Sequence, residues 1–86
     1  AALKAHPEIQ LVEVVGHSSA DGPRPLNVRL SRERATAVLR WLVEAGVAGN
    51  RLRARGVGPD EPLVEEKTPA DRDTNRRIEF RILKKR

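Results

Sequence analysis

One arginine stands among apolar residues on the helix face that the sequence predicts to pack against a core. Apolar residues recur with helical spacing between Leu26 and Ala45, and Arg34 falls on their side of the helix. Asn27 and Ser31 lie close to it on the same face. A guanidinium buried without a partner costs several kcal/mol. Arg34 must therefore reach solvent, an acidic side chain or a bound anion, which makes it the leading candidate for a binding residue.

Groups that could catalyse a reaction are few. The chain has no Cys, its two histidines are far apart, and no Gly-x-Ser-x-Gly or His-x-x-x-His spacing occurs. His17, Ser18 and Ser19 are neighbours, but adjacent side chains at a strand end point in different directions. His17 is expected to be a hydrogen-bonded loop residue. The sequence therefore predicts a binding module and not an enzyme, with no metal ion and no cofactor.

Hydrophobic spacing predicts the elements that position these groups. A run rich in β-branched residues predicts a strand over residues 9–15, with the pattern of a central strand. A polar loop follows over residues 16–25, and the helix runs from there to about Ala45, ended by Gly46.

Two more strands are predicted in the second half of the chain. Arginines that alternate with small or apolar residues predict a strand over 51–56, and the strand-helix-strand order predicts a parallel crossover. A long loop follows, with one short helical turn over 69–74, and the last strand covers 77–83. Its alternation predicts three core-facing residues: Ile78, Phe80 and Ile82. The predicted fold class is α/β (α+β), a two-layer sandwich of a mixed sheet with a parallel β-α-β crossover and helices on one face.

Composition narrows the class of partner. The 86 residues suit one small domain, and 17 Lys and Arg against 12 Asp and Glu give a net charge of +5. This charge favours an anionic partner, but the basic residues are spread along the chain, as on an ordinary solvated surface. Trp41 and Phe80 are the only aromatic residues, so nucleic-acid binding by base stacking is the weaker alternative.

Several motifs together carry a family resemblance. The chain contains Gly16-His17, Asn27-x-x-Leu30-Ser31-x-x-Arg34-Ala35, Gly56-x-Gly58 and Asn75-Arg76-Arg77-Ile78-Glu79. Over about residues 8–83 it resembles the OmpA-like C-terminal domain, a peptidoglycan-binding module. The resemblance implies the family's two-layer sandwich and a periplasmic location at the outer membrane or cell envelope. It also implies a membrane-associated parent protein, with this domain soluble.

The resemblance also concerns the ends of the chain. The family begins with a further strand and a full helix, so residues 1–86 are interpreted as a single, N-terminally truncated OmpA-like domain. Residues 1–7 would be the remnant of that helix, and residues 84–86 a basic tail. We expect the missing strand to leave a sheet edge or a core face unprotected.

The family's site implies a role for each matching residue. Its pocket grips the diaminopimelate of the peptidoglycan stem peptide, and its helix arginine, here Arg34, takes a carboxylate. Asn27 would pin the loop to the helix, and Asn75 with Arg76 would close the far wall. Ser31 would either contact the ligand or serve local capping and packing.

One position departs from the family. Its acidic residue, which faces the ammonium of the ligand, falls on Ser19 here, so a neutral hydroxyl replaces a carboxylate. Charge-assisted hydrogen bonds are about twice as strong as neutral ones, so affinity for the ammonium should fall. Asp21 is either a substitute carboxylate or only a turn former before Gly22.

The leading hypothesis is non-covalent binding of peptidoglycan, which would anchor a parent protein to the wall. The alternative is a scaffold or interaction module of the same fold, in which the change at Ser19 has weakened or removed wall binding. A basic nucleic-acid-binding domain is the weakest of the three, so the expected partner is peptidoglycan and not nucleic acid. A homodimer is one alternative for its assembly.

Overall fold

The structure, a computed structural model, describes residues 5–86, which form a three-stranded sheet and two helices. In chain order the elements are β1 (Ile9–His17), α1 (Arg24–Glu44), β2 (Leu52–Gly58), α2 (Pro69–Asn75) and β3 (Ile78–Lys85). The strand order is β2-β1-β3, with β1 parallel to β2 and antiparallel to β3. The central position of the first strand and the parallel crossover are thus confirmed. The helix remnant predicted over residues 1–7 lies largely outside the described residues.

Local signals set the two ends of α1. The helix begins after Pro23, and Pro25 occupies its first turn, where a backbone N–H has no partner within the helix. At the other end Gly46 adopts a φ of 103°, the left-handed conformation that glycine enters without a steric penalty. The N–H of Gly46 donates to the carbonyl of Val43 at 3.0 Å, which closes the last turn. The predicted end of the helix is confirmed.

The core lies between α1 and the strands β1 and β2. Ala35 and Leu42 of the helix pack against Val12 and Val14 of β1 and Leu52 of β2. Full burial of a Val or Leu side chain contributes about 1.5–3 kcal/mol. Cross-strand pairing of Val12 with Leu52 aligns the apolar residues of both strands on the face toward the helix.

The prediction that Phe80 and Ile82 belong to the core is wrong, since they are 57% and 55% exposed. They pair with Val14 and Val12, so their side chains are on the face toward α1. The helix, however, packs mainly on β2 and β1, and of these β3 residues Ile78 is the one packed against the core. Within residues 5–86, the apolar face along β3 is therefore largely uncovered.

Two residues of α1 also lie outside the core despite their position in the apolar pattern. Trp41 is 64% exposed and Leu26 is 40% exposed. The fully buried helix positions form a narrow line: Ser31, Ala35 and Leu42. The first half of the helix approaches the sheet closely, over the small side chains of Ser31 and Ala35.

Two glycines permit that close approach. A Cβ on Gly16 would collide with the backbone carbonyl of Ser31, and a Cβ on Gly56 would lie 2.6 Å from the Cα of Arg32. Both obstacles are backbone atoms, which cannot move aside as a flexible side chain can. Glycine at these positions of β1 and β2 is therefore required by contact with the helix.

We predict that Gly16→Ala lowers the free energy of unfolding by about 3 kcal/mol or more, because an added methyl would overpack a rigid contact. Gly49→Ala is the matched control, since its Cβ would meet nothing closer than Val43 Cγ2 at 3.9 Å. The control should change stability by less than about 0.5 kcal/mol. Urea unfolding measures both, and equal midpoints for the two variants would contradict the assigned contact.

Candidate binding site

Ser31 fixes α1 to the end of β2. Its fully buried hydroxyl donates to the carbonyl of Val28 at 2.8 Å and accepts the N–H of Gly58 at 3.0 Å. Gly58 has a φ of 58°, so its backbone turns at this point in a conformation that suits glycine. Of the two roles expected for Ser31, the structure supports packing, because the hydroxyl is used within the fold.

Arg34 lies one turn further along the helix and lines a pocket of about 380 Å³. The pocket is lined by five residues: His17, Arg34, Arg76, Arg77 and Ile78. The Arg34 side chain is exposed, and within residues 5–86 it makes no hydrogen bond or ion pair. Arg34 therefore pairs with no acidic side chain in the described structure, which leaves solvent or a bound anion as the partner of its charge.

The other two guanidinium groups of the pocket have partners. Arg77 donates to the Glu79 carboxylate at 3.1 Å and to the carbonyls of Asn75 and Glu61 at 3.2 and 3.0 Å. Arg76 pairs with an exposed Asp73 at 2.9 Å, a contact worth at most about 1 kcal/mol. Arg34 is thus the cation that can engage a ligand without breaking a contact.

His17 forms the inner wall of the pocket and is 1% exposed. Burial and the nearby Arg77 lower its pKa, against the opposing effect of Glu79, so its ring is neutral at pH 7. Its Nε2 lies 2.7 Å from the Glu79 carboxylate and must carry the proton. The buried Nδ1 is then an acceptor, and it has no partner in the described part of the chain. The hydrogen bond expected for His17 is confirmed, but its expected place in the loop is wrong, because His17 is the last residue of β1 and its backbone pairs with Gly58 of β2.

Glu79 holds this wall together. Burial raises the pKa of its carboxyl, but hydrogen bonds from Arg81, Arg77 and His17 outweigh that effect and lower the pKa to about 2. The carboxylate stays ionised and holds the ends of β1 and β3 together through His17 and Arg77.

Hydrogen bonds within the loop between β1 and α1 occupy several of its polar groups. Ser19 is 2% exposed, and its hydroxyl accepts the N–H of Asp21 at 3.3 Å. Asn27 donates its side-chain N–H to the carbonyl of Asp21 at 2.9 Å, so it pins the loop to the helix as predicted. The Asp21 carboxylate is exposed, and no contact within residues 5–86 fixes it.

Asn75 is fully buried and has a different place from the one expected. Its side-chain oxygen accepts the N–H groups of Leu63 and Val64, and its nitrogen donates to Val64 and to Glu66 at 3.0 and 2.8 Å. These four bonds use the capacity of the amide. Asn75 therefore organises the loop before α2, while its neighbour Arg76 forms the pocket wall.

Comparison with known proteins decides the family. The family model described as the OmpA family matches residues 1–76. The chain belongs to the OmpA family. The resemblance inferred from the motifs is confirmed, and so is the OmpA-like sandwich fold.

Individual relatives agree with this assignment. Outer membrane porin F of Pseudomonas fluorescens is 44% identical over 71 residues, which cover 83% of this chain and 22% of that protein. Peptidoglycan-binding protein ArfA of Mycobacterium tuberculosis is 38% identical over 78 residues, covering 91% and 24% of the two chains. The crystal structure of the peptidoglycan-associated lipoprotein from Burkholderia pseudomallei superposes with a TM-score of 0.85 at 29% identity, over 92% and 66% of the two chains. The chain thus spans about a quarter of the length of the two sequence relatives.

The structure shows a contact beside the loop between β1 and α1 that the sequence did not indicate. Both oxygens of the Glu66 carboxylate accept the N–H of Ala20, at 3.1 and 3.0 Å. The two residues are 46 positions apart, so no local spacing links them. His17, Arg77 and Ile78 were likewise missed as lining residues, although the Asn75–Glu79 motif contains two of them.

We predict that acid destabilises this domain in two steps. The lowered pKa of His17 means that only the unfolded state gains its proton as the pH first falls below about 6.5. The lowered pKa of Glu79 means that its contribution is present above about pH 4.5 and is lost as the pH falls toward 2.

Glu79→Gln tests the second step. It should cost about 2 kcal/mol at pH 7, because it weakens hydrogen bonds to charged groups, and should flatten the stability curve between pH 4.5 and 2. Glu44→Gln, at an exposed helix end, is the control and should leave the curve unchanged. Chemical unfolding at a series of pH values measures this, and an unaltered curve for Glu79→Gln would refute it.

Proposed function

We propose that this domain binds peptidoglycan without chemical reaction and anchors its parent protein to the cell wall. In this proposal Arg34 holds a carboxylate of diaminopimelate in the stem peptide. The observation that carries it is the Arg34 guanidinium, which lines the pocket with no partner in the described structure. A guanidinium can grip a carboxylate by two parallel hydrogen bonds, which adds direction as well as energy.

The relatives support the ligand class. ArfA is named a peptidoglycan-binding protein, and the Burkholderia pseudomallei lipoprotein is named for its association with peptidoglycan. Porin F is an outer membrane protein, which supports a location in the cell envelope. Neither helix of the described residues is long and apolar enough to cross a membrane.

The pocket itself suits a small anionic group. Its volume of about 380 Å³ falls within the roughly 300–1,000 Å³ typical of small-molecule sites. Arg76 and Arg77 stand beside Arg34 and add positive charge to the wall. Simple binding also fits the state of the nearest reactive groups, because His17 Nε2 is tied to Glu79 and the Ser18 hydroxyl donates to the Ser19 carbonyl.

Co-sedimentation with purified diaminopimelate-type sacculi tests the proposal. Wild-type protein should pellet with the sacculi, and Arg34→Ala should weaken binding by about 10- to 100-fold, the value of a charge-assisted contact of about 1.5–3 kcal/mol. Arg34→Lys should recover only part of the loss, because an ammonium cannot form the two parallel bonds.

Arg40→Ala is the matched control, since it removes the same charge from an exposed position of the same helix. Its binding should equal that of the wild type. If Arg34→Ala and Arg40→Ala pellet to the same extent as the wild type, the anchor role of Arg34 is refuted. If the wild type itself does not pellet, the domain is the scaffold module of the alternative hypothesis.

A further inference from the structure

In the proposed site, no acidic residue has yet been assigned to the ammonium of the ligand, because Ser19 stands where the family carries an acid. A diaminopimelate end carries both a carboxylate and an ammonium, so a cation alone satisfies only one of its charges. Ser19 has no charge, is almost fully buried, and has its hydroxyl engaged by the N–H of Asp21. Another acceptor must face the ammonium, or that group remains unpaired at a cost.

We propose that Glu66 is the residue that receives the ammonium of the ligand, in place of the acid that the family carries at the position of Ser19. This inference rests on the proposed function and names a specificity-determining residue of the same site. The Glu66 carboxylate accepts the N–H of Ala20, the residue that directly follows Ser19. The negative charge lost at one loop position is thus restored beside it from another part of the chain.

The hydrogen bonds of Glu66 orient its carboxylate but leave part of its acceptor capacity unused. The N–H of Ala20 lies 3.1 and 3.0 Å from its two oxygens, and the Asn75 amide donates to one of them at 2.8 Å. A carboxylate has about four acceptor positions, so room remains for an N–H of an ammonium. Because these contacts hold the side chain in the free protein, little rotational freedom is lost when a ligand binds.

The charge of Glu66 is also uncompensated. Its neighbours pair with basic side chains, Glu65 with Lys67 at 3.8 Å and Glu61 with Arg81 at 2.7 Å. No basic side chain within residues 5–86 pairs with Glu66, although it is partly buried. Arg34 has no acidic partner in the same range. Glu66, which has no basic partner, contacts Ala20, and Arg34, which has no acidic partner, lines the pocket with His17. The segment from His17 to Ala20 thus connects an oriented anion with a cation, which is the charge pattern of a zwitterion site.

Two other acceptors lie near the site, and both are less suited to an ammonium. The Asp21 carboxylate is exposed and held by no contact in the described chain, so binding would have to immobilise it. His17 Nδ1 is an acceptor with a lone pair but no charge, and a neutral acceptor gives about half the strength. Both become distinguishable outcomes of the test.

The test combines a change in the protein, Glu66→Gln, with a change in the ligand, acetylation of its amine. The probes are N-acetyl-L-Ala-γ-D-Glu-meso-diaminopimelate, whose one free amine is that of diaminopimelate, and the same peptide with that amine acetylated. Each is titrated calorimetrically into the 86-residue domain. Acetylation should weaken binding to the wild type by about tenfold. Glu66→Gln should weaken binding of the free amine by a similar factor and abolish the discrimination between the two probes.

The variant keeps an oxygen that can accept the Ala20 N–H, and an unchanged set of backbone amide resonances elsewhere checks that it is folded. Asp21→Asn is the matched control, and its tenfold discrimination should remain. The inference is overturned if Glu66→Gln still discriminates tenfold, or if Asp21→Asn loses the discrimination instead. In either case a loss of binding in Arg34→Ala would leave the proposed function standing, whereas a wild type that binds neither probe would overturn both.

Discussion

The contact of α1 with two glycines is the constraint on which the other features depend. Gly16 in β1 and Gly56 in β2 have no side chain, so the helix backbone at Ser31 and Arg32 rests almost directly on the sheet. Only at this separation can the Ser31 hydroxyl reach the N–H of Gly58 and close the end of β2. The buried positions of the helix, Ser31, Ala35 and Leu42, lie along one line, and neighbouring positions are exposed.

Arg34 is exposed because it lies beside the line of buried helix positions and not within it. The residues around it divide into two groups by their hydrogen bonds. The side chains of Asn27 and Asn75 form hydrogen bonds within the loops that border the site. His17 is hydrogen-bonded to Glu79, which connects the ends of β1 and β3. Arg34 has no partner in the described structure, and Glu66 is held by neutral donors only. In the proposed function, this frame presents two opposite charges to the ligand, which is what selective recognition of a zwitterion requires.

Local signals in the sequence predict most of the fold and single out Arg34, the proposed carboxylate anchor. The strands follow from the spacing of apolar residues, and the end of α1 follows from the backbone preference of Gly46. Arg34 is conspicuous because it interrupts an apolar pattern. Phe80 and Ile82 were misplaced because alternation tells which face of a strand is apolar but not whether another element covers that face. Glu66 could not be found because its proposed role depends on a contact between loops that are distant in sequence. Such contacts arise from the packing of the whole domain and leave no local pattern.

The central claim is that Arg34 and Glu66 bind the two charges of one ligand end. An NMR titration of the ¹⁵N-labelled domain with meso-diaminopimelate tests it most directly, since the Arg34 Nε–H and the Ala20 N–H bonded to Glu66 report on the two halves separately. The account predicts that both resonances shift together along one saturable curve. Saturable shifts confined to the opposite end of the sheet, near Lys84, or a shift of Arg34 without Ala20, would contradict it.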